Sequence, residues 1–321
     1  MTGCINIESG LFYGARHKDA DVVLNSRSGG VFTALSDVVL SRSGVVYGVF
    51  SDNNDRVRYM AAKTAEERNL MRGSKYVQSD KGKIFCDVLS TLRENKHVLF
   101  AGVPCEVAGL RSFLAAKNAP MDKLFLVDIL CHSSPSPKVW ADYVDFIERK
   151  YKSPVKKAIF RDKERFGWAD HRETFILEDG RAISTTEFRY LFYREYIVRP
   201  SCYECKYKGK YSGDIVVGDL WGVEKVCSQL NDNKGANLVI PNSDKGVALI
   251  SAATECLEIY PVEREKVMQR ALVHPSDRPA DRDRFWNCYA KHGIKRAVKK
   301  YASDTFKVRF KRAIRRLIRG K

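Results

Sequence analysis

The chain has 321 residues, of which 44% are hydrophobic and 30% are charged. These proportions are typical of one large globular domain or two ordinary ones, and they exclude a disordered chain. No apolar run approaches the roughly 18 residues of a transmembrane helix. The first ten residues also lack the basic and apolar regions of a secretory signal, so we expect a cytoplasmic protein.

The formal net charge is +17, but it is unevenly distributed. Residues 295–321 carry a net charge of +11, which leaves +6 for the other 294 residues. The body has no zinc-finger spacing, RNP motif or helix–turn–helix signal, so we do not expect nucleic acid as a partner.

Within the basic tail, apolar residues at 306, 310, 313, 314 and 317 would form one stripe of a helix. Residues 303–321 are therefore a candidate contact with an anionic membrane surface, at the inner face of the membrane. The same stripe could instead pack on the protein's own body, and the cations could attract an acidic ferredoxin.

In chain order, the first half alternates between strands and helices. Its predicted helices are at 29–42, 85–96 and 105–117, and its predicted strands are at 44–52, 97–102 and 123–132. A helix at 138–151 then precedes shorter alternating segments at 156–162, 173–180, 182–188 and 214–222. The pattern predicts an α/β fold with a mixed, partly parallel sheet and flanking helices, followed by a mixed or antiparallel α+β half and the basic helical tail.

Two of the nine cysteines follow predicted strands of the first half. Cys105 lies where a helix begins, so backbone N–H groups and the helix dipole can stabilise its thiolate. Cys131 and His132 end the next strand, and ligands gather beyond the carboxyl ends of strands in such sheets. Each cysteine alone is better explained as a small buried hydrophobic residue, as most isolated cysteines are.

The only C-x-x-C pair of the chain, Cys202 and Cys205, changes this balance. One such pair supplies half of a tetrahedral site, and Cys105 and Cys131 are the best-placed further ligands. From spacing alone, four thiolates suit zinc and an iron–sulfur cluster equally well.

Two glycine-containing turns are candidate phosphate sites. Residues 26–30 (SRSGG) open a helix, where backbone N–H groups can bind an anion, and residues 72–76 (RGSKY) add two cations and a hydroxyl group. A helix-capping turn would explain either segment, but together they favour a nucleotide cofactor.

Eight segments, taken in order, resemble a single family. They read SRSGGVFTAL (26–35), GVVYGVFSD (44–52), MRGSKYVQSDKG (71–82), VLFAGVPCEVAGLRSFL (98–114), VDILCHSSPSPKVWADYV (127–144), FRDKERFGW (160–168), RPSCYECKYKG (199–209) and DIVVGDLWGV (214–223). They resemble the coenzyme F420 hydrogenase/dehydrogenase beta-subunit family, which is similar to 7-hydroxymethyl chlorophyll a reductase. The resemblance covers about residues 11–250 and implies an N-terminal part at 11–97, a C-terminal part with the cysteines at 98–262 and a helical, strongly basic tail at 263–321.

The resemblance implies an oxidoreductase that contains FAD and a [4Fe–4S] cluster and transfers electrons between a one-electron iron–sulfur donor and a two-electron substrate. It makes Cys105, Cys131, Cys202 and Cys205 the cluster ligands. The residues implied around FAD are Ser28, Gly29, Gly30, Arg72, Ser74, Lys75, Tyr76, Arg161, Asp162, Gly218 and Asp219. The nearest titratable candidate for a catalytic proton donor is His132.

The sequence departs from the family's pattern in two places. Residues 1–20 lack the family's ferredoxin-like cysteine motif, so we expect an external electron carrier such as ferredoxin. Ser133 and Ser134 stand where the family usually has glycine and a hydrophobic residue. We therefore expect the substrate to be F420 or another small molecule, such as one from surface-polysaccharide biosynthesis. The alternative is a non-redox binding protein on the same fold with a structural Cys4 zinc site.

Overall fold

The computed structural model describes residues 10–52 and 56–302. The basic segment 303–321, and with it the predicted membrane contact, lies outside these residues. None of the helices in the described part of the chain is long and apolar enough to cross a bilayer.

The described residues form eleven strands and thirteen α-helices. The strands are β1 (Tyr13–His17), β2 (Val45–Ser51), β3 (Val57–Ala62), β4 (Val98–Gly102), β5 (Leu124–Ile129), β6 (Val155–Ile159), β7 (Glu173–Leu177), β8 (Ala182–Thr185), β9 (Ile215–Asp219), β10 (Asn237–Pro241) and β11 (Leu257–Pro261). The helices are α1 (Ala20–Asn25), α2 (Val31–Ser41), α3 (Ala65–Asn69), α4 (Ile84–Arg93), α5 (Pro104–Ala116), α6 (Pro137–Tyr151), α7 (Lys163–Phe166), α8 (Glu187–Tyr193), α9 (Val223–Val226), α10 (Asp244–Ala252), α11 (Arg264–Val267), α12 (Arg270–Val273) and α13 (Arg282–Ala297).

Eight strands form one mixed sheet in the order β11-β1-β10-β9-β5-β4-β2-β3. The central strands β2, β4, β5 and β9 are parallel, and antiparallel strands complete both edges. A second, antiparallel sheet contains β6, β7 and β8. This arrangement confirms the predicted fold class of a partly parallel sheet followed by antiparallel strands.

Helices cover both faces of the large sheet because each presents an apolar stripe to it. On one face, α2 contributes Leu35 and Val39 to a buried cluster with Leu249 of α10. On the other face, α4 and α5 pack through residues such as Val88 and Leu110.

The small sheet has a core of its own, rich in aromatic side chains. Trp140 of α6 stacks on Phe160 with ring centroids 4.4 Å apart and also contacts Phe175 of β7 and Phe188 of α8. The C-terminal helix α13 adds Phe285 to the same cluster. The main chain leaves helical geometry at Gly293, where φ is +72°.

Candidate functional site

The site begins at the carboxyl ends of three neighbouring parallel strands. β4 pairs with β5 as far as Gly102, and β5 pairs with β9 as far as Ile129. Cys105 therefore follows β4 in the first turn of α5, Cys131 follows β5, and Asp219 ends β9. Adjacent strand ends share one edge of a sheet, so these side chains are held near one another by the register of the sheet.

A distant segment brings the C-x-x-C pair to the same edge. Residues 197–199 run against residues 134–136, with an isolated bridge between Pro135 and Val198. The N–H of Arg199 donates to the carbonyl of Ser134 at 3.0 Å. Cys202 follows at the end of a single 3-10 turn, Pro200–Cys202.

Electrostatic interactions connect the four predicted ligand thiols. Burial raises the pKa of the Cys105 thiol to about 11, with smaller contributions from Cys202 and Cys205. Burial likewise raises the pKa of Cys131 to about 12, with contributions from Cys202 and Cys105. Each of the four thiols therefore lies within electrostatic range of at least two of the others.

Two cations that the sequence analysis did not single out lie beside these thiols. The Lys208 ammonium donates to the carbonyl oxygen of Cys131, and it also bonds the carbonyl of Ala271 at 2.7 Å. The charge of Lys208 lowers the pKa of Cys131 and Cys202, against the larger effect of burial, and that of Arg199 acts in the same direction on Cys105. Both cations favour negative charge on the sulfur atoms.

Among residues 10–52 and 56–302, no three His, Cys, Asp or Glu side chains are arranged to hold a metal ion, so the four cysteines do not form a closed single-ion site.

A cavity of about 450 Å³ opens beside Cys131. This volume lies within the usual range of roughly 300–1,000 Å³ for small-molecule sites. Most of the residues expected around FAD line it, together with the proton-donor candidate: Ser28, Gly30, Arg72, Ser74, Lys75, Tyr76, His132, Arg161, Gly218 and Asp219.

The remaining two FAD candidates, Gly29 and Asp162, are not among the residues that line the cavity. A Cβ atom at Gly29 would lie only 2.5 Å from the carbonyl oxygen of Ala15, so the glycine lets the chain pack tightly on β1. Asp162 is buried and caps α7 by accepting from the N–H of Arg165 at 3.2 Å. Both positions support the walls of the cavity.

One end of the cavity contains the beginning of α2. Gly30 is its N-cap residue, with φ of +81°. The N–H of Val31 is partly satisfied by the Asn237 side chain at 3.3 Å. Arg72 reaches the same helix, where its Nε donates to the hydroxyl of Thr33 at 3.2 Å. This end therefore combines a helix N-terminus with a guanidinium group.

The ammonium group of Lys75 forms hydrogen bonds with backbone carbonyl groups. Its ammonium donates to the carbonyls of Met71 and Arg72 at 2.8 and 3.0 Å. Burial lowers the pKa of Lys75 to about 7. The lysine thus fixes the turn that forms one wall of the cavity.

A second cationic group, Arg27 with Arg161, also lines the cavity, and the sequence analysis found only part of it. Arg27 and Arg161 both pair with the same oxygen of Asp219, at 3.3 and 3.2 Å. Both guanidinium groups also donate to the carbonyl of Trp168, and both lie over the ring of Trp221, 6.0 and 5.2 Å from its centroid.

The two arginines are buried, but some of their hydrogen-bond donors have no partner among the described residues. The side chains of Arg27 and Arg161 are only 8% and 5% exposed. Nε and Nη1 of Arg27 and Nε of Arg161 have no hydrogen-bond partner among the described residues. A buried donor without a partner costs about 1–3 kcal/mol, so these nitrogens favour an acceptor that the protein does not itself supply.

A hydrogen-bonded pair of side chains lies at the mouth of the cavity. The hydroxyl of Tyr193, which lines the cavity and is 55% exposed, is 2.5 Å from Nδ1 of His171. Burial lowers the pKa of His171 to about 3 and raises that of nearby Glu173 to about 8, so both are neutral at pH 7. Sequence patterns did not identify this group because its members come from different elements.

His132 follows Cys131 in the chain and also lines the cavity. Burial lowers its pKa, and the charge of Asp219 partly offsets this effect. The next residue, Ser133, has φ of +112° and donates its N–H to the sulfur of Cys131 at 3.3 Å. The position of His132 is compatible with proton donation and also with a structural role.

The chain is similar to a known family in sequence and to a chain of a solved structure in fold. The family model for the C-terminal region of the beta subunit of coenzyme F420 hydrogenase/dehydrogenase matches residues 95–265. A chain of the xenon-derivatised F420-reducing [NiFe] hydrogenase complex from Methanosarcina barkeri has a TM-score of 0.55 and 19% identity, over 93% of this chain and 91% of that chain. At this identity the likeness shows the fold alone. No curated protein matches the chain.

Proposed function

The chain belongs to the coenzyme F420 hydrogenase/dehydrogenase beta-subunit family, and we propose that it is an oxidoreductase that uses FAD and a [4Fe–4S] cluster. It would transfer electrons between a one-electron iron–sulfur donor and a two-electron small-molecule substrate. The observation that carries the proposal is the position of Cys131, which belongs to the group of four cysteines and also lines the cavity that contains most of the FAD candidates.

We favour a cluster over a single zinc ion for this donor set of four cysteines. Zinc with bonds of about 2.3 Å to four sulfurs would require those sulfurs to lie about 3.8 Å apart. A [4Fe–4S] cluster has one thiolate on each of four irons, so its ligands stand farther apart. In the described part of the chain, the four thiols act electrostatically on one another but do not form a single-ion site, and we take this as support for the cluster.

The cavity also fits a flavin dinucleotide in its chemistry. Its α2 end, with Arg72 and the Gly30 cap, suits a pyrophosphate, as helix N-termini commonly do. Apolar side chains such as Val49 and Leu130 line other parts and suit a ring system. When bound, FAD would supply two-electron chemistry and the cluster one-electron chemistry.

The chain's own residues would have three tasks in this reaction. Cys105, Cys131, Cys202 and Cys205 would hold the cluster, while Lys208 offsets part of the negative charge of the sulfur atoms. The walls of the cavity would limit access of water. His132 would hold a proton on its ring within the cavity, where its low pKa keeps the imidazole neutral and able both to donate and to accept.

We further propose that the electron carrier is a separate protein such as ferredoxin. The substrate would be F420 or another small molecule, including one from surface-polysaccharide biosynthesis. The basic segment 303–321 would provide the contact with an anionic membrane surface.

Anaerobic purification followed by an absorption spectrum and quantification of flavin, iron, sulfide and zinc tests the proposal. We expect flavin bands, a broad iron–sulfur shoulder and negligible zinc. A colourless protein that contains zinc would contradict the proposal and would support the non-redox alternative. Reduction assays with F420, ferredoxin and nicotinamides would then separate the candidate substrates and donors.

A further inference from the structure

Two segments of the chain carry all of its formal net charge. Residues 149–157 contain five Lys and Arg and no acidic residue, and residues 291–321 contain thirteen Lys and Arg and one acidic residue. Their net charges of +5 and +12 together equal the +17 of the whole chain, so the remaining residues carry no net charge. The excess positive charge is therefore confined to two places.

The cations of these segments in the described part of the chain are exposed and lack acidic partners. None of them forms an ion pair with another described residue. Crowded like charges repel one another, so an anionic partner would stabilise them. We call these ten exposed residues the basic face: Arg149, Lys150, Lys152, Lys156, Lys157, Lys291, Lys295, Arg296, Lys299 and Lys300.

The two segments enclose one part of the aromatic core beside the small sheet. The helices α6 and α13 pack against each other, and the hydroxyl of Tyr289 in α13 donates to Asp142 in α6. Ile147 near the end of α6 and Ile294 near the end of α13 belong to the same buried cluster. Because the apolar residues of both segments are buried in this cluster and the cations are exposed, the two groups of cations surround one part of the folded body.

We propose that the basic face is a docking surface for an anionic lipid membrane. The inference does not depend on the redox reaction. It also differs from the contact proposed for residues 303–321, because it assigns membrane binding to the folded body itself.

The chemistry of the basic face favours lipid over other anionic partners. Eight of its ten residues are lysines. Nucleic-acid and phosphate recognition favours the planar fork of arginine, and interfaces between proteins are depleted in lysine. A membrane surface instead presents a diffuse negative potential, to which each Lys or Arg near the headgroups adds about fivefold in binding.

Half-buried aromatic rings lie among these cations. The ammonium of Lys150 lies 5.7 Å from the centroid of Phe146 and 5.0 Å from that of Tyr151. Rings of this kind are favoured at the boundary between headgroups and acyl chains. The surroundings of Lys150 therefore suit a lipid surface as well as its charge does.

Cosedimentation of the full chain with vesicles tests the inference. The vesicles contain equal parts of phosphatidylglycerol and phosphatidylcholine, and vesicles of phosphatidylcholine alone are the reference. One variant carries K150Q, K152Q, K156Q and K157Q, and a second carries K291Q, K295Q, K299Q and K300Q. Each should bind the anionic vesicles at least about tenfold more weakly than the unmodified protein, and none should bind the reference vesicles.

A matched control carries K63Q, K83Q, K117Q and K225Q. These four lysines are also exposed and form no ion pair with a described residue, but they lie outside the basic face. The control has the same change of net charge and should bind the anionic vesicles nearly as tightly as the unmodified protein. The midpoint of thermal unfolding should be preserved in all three variants, because the replaced side chains are exposed.

Four results would overturn the inference. Unchanged binding by both variants of the basic face would assign vesicle binding to residues 303–321 alone, and equal weakening in the control would show an effect of net charge only. Loss of binding to duplex DNA with full retention of vesicle binding would assign the basic face to nucleic acid. Absence of vesicle binding by the unmodified protein would refute both membrane contacts. Flavin and iron content, measured on the same samples, tests the proposed redox function separately.

Discussion

Ser133 shows how a single residue shapes the surroundings of the cysteines. Its φ of +112° lies in the region that glycine adopts readily and that other residues adopt at a cost. Its hydroxyl is buried without a hydrogen-bond partner among the described residues. The conformation directs the Ser133 N–H to the sulfur of Cys131, so the strain accompanies a contact to a proposed ligand.

Ser133→Gly should therefore stabilise the protein by about 1 kcal/mol, because it relieves the backbone strain and removes the unpartnered hydroxyl. The midpoint of thermal unfolding measures the effect, and iron content should not change. Ser134→Gly is the control, since Ser134 has no positive φ and should lose stability. A lower midpoint for Ser133→Gly than for the unmodified protein would contradict the prediction.

The buried carboxyl group of Glu173 should make the stability of the protein depend on pH. Burial raises its pKa to about 8, and neither carboxyl oxygen has a hydrogen-bond partner among the described residues. In the unfolded chain the carboxyl ionises near pH 4.3. Between these two pKa values the unfolded state releases a proton that the folded state keeps, so the free energy of unfolding falls as the pH rises.

Glu173→Gln removes this ionisation and should stabilise the protein relative to the unmodified chain increasingly between pH 5 and pH 8. The gain should be about 2–4 kcal/mol over this range, from about 1.4 kcal/mol per pKa unit. Thermal unfolding at pH 5, 6.5 and 8 checks it. Parallel pH profiles for the two proteins would show that Glu173 is not buried as a neutral acid.

At the scale of elements, the start of α2 is fixed by tight packing on two strands. A Cβ atom at Gly29 would lie 2.5 Å from the carbonyl oxygen of Ala15 in β1 and 2.9 Å from the N–H nitrogen of Asn237 in β10. Because both neighbours are backbone atoms of a sheet, they cannot move aside without disturbing the strands.

Gly29→Ala should displace the start of α2, lower stability by about 1–3 kcal/mol and weaken retention of FAD. Gly109→Ala is the control within a helix, since its Cβ would make only ordinary contacts with Phe85 at 3.7 Å. That change should be neutral or slightly stabilising. Thermal unfolding and flavin content measure both effects, and unchanged flavin content in Gly29→Ala would contradict the role given to this helix end.

The sequence predicted the regular elements of the first half well because their periodicity reflects burial. The helix predicted at 105–117 is α5, Pro104–Ala116, and the strand predicted at 44–52 is β2, Val45–Ser51. The segment 182–188 was predicted as a strand throughout, but its end begins α8, whose Phe188, Leu191 and Phe192 bury one helical face. β10 and β11 were not predicted, although they complete one edge of the large sheet together with β1.

The candidate site was only partly predictable, for a related reason. Cys105 and Cys131 follow strands, so their convergence could be inferred from the sequence. Arg27 lies in the glycine-containing turn at 26–30, but its proximity to Trp221 had no such signal, because it depends on how β9 and the loop before α2 meet in three dimensions. Sequence patterns predict local structure, and two residues that are 194 positions apart share no local pattern.

At the scale of the whole molecule, the C-terminal segment 303–321 carries a strong positive charge. Deleting residues 303–321 should leave flavin and iron content intact and reduce binding to anionic liposomes. Salt should weaken binding of the full-length chain, because exposed charges are screened over about 10 Å at 0.1 M. Equal liposome binding with and without the segment would contradict the membrane contact, and loss of flavin or iron on deletion would show that the segment is part of the folded body.

The central claim, that four cysteines from three parts of the chain hold one cluster beside the cavity, is tested most directly by iron and sulfide content. The unmodified protein should contain about four of each per chain. Replacing any one of Cys105, Cys131, Cys202 and Cys205 with alanine should remove most of the iron and most of the sulfide. Alanine at Cys227, which is buried, or at Cys256, which is exposed, should leave both unchanged. Unaltered iron and sulfide in the Cys202→Ala and Cys205→Ala variants would contradict the account.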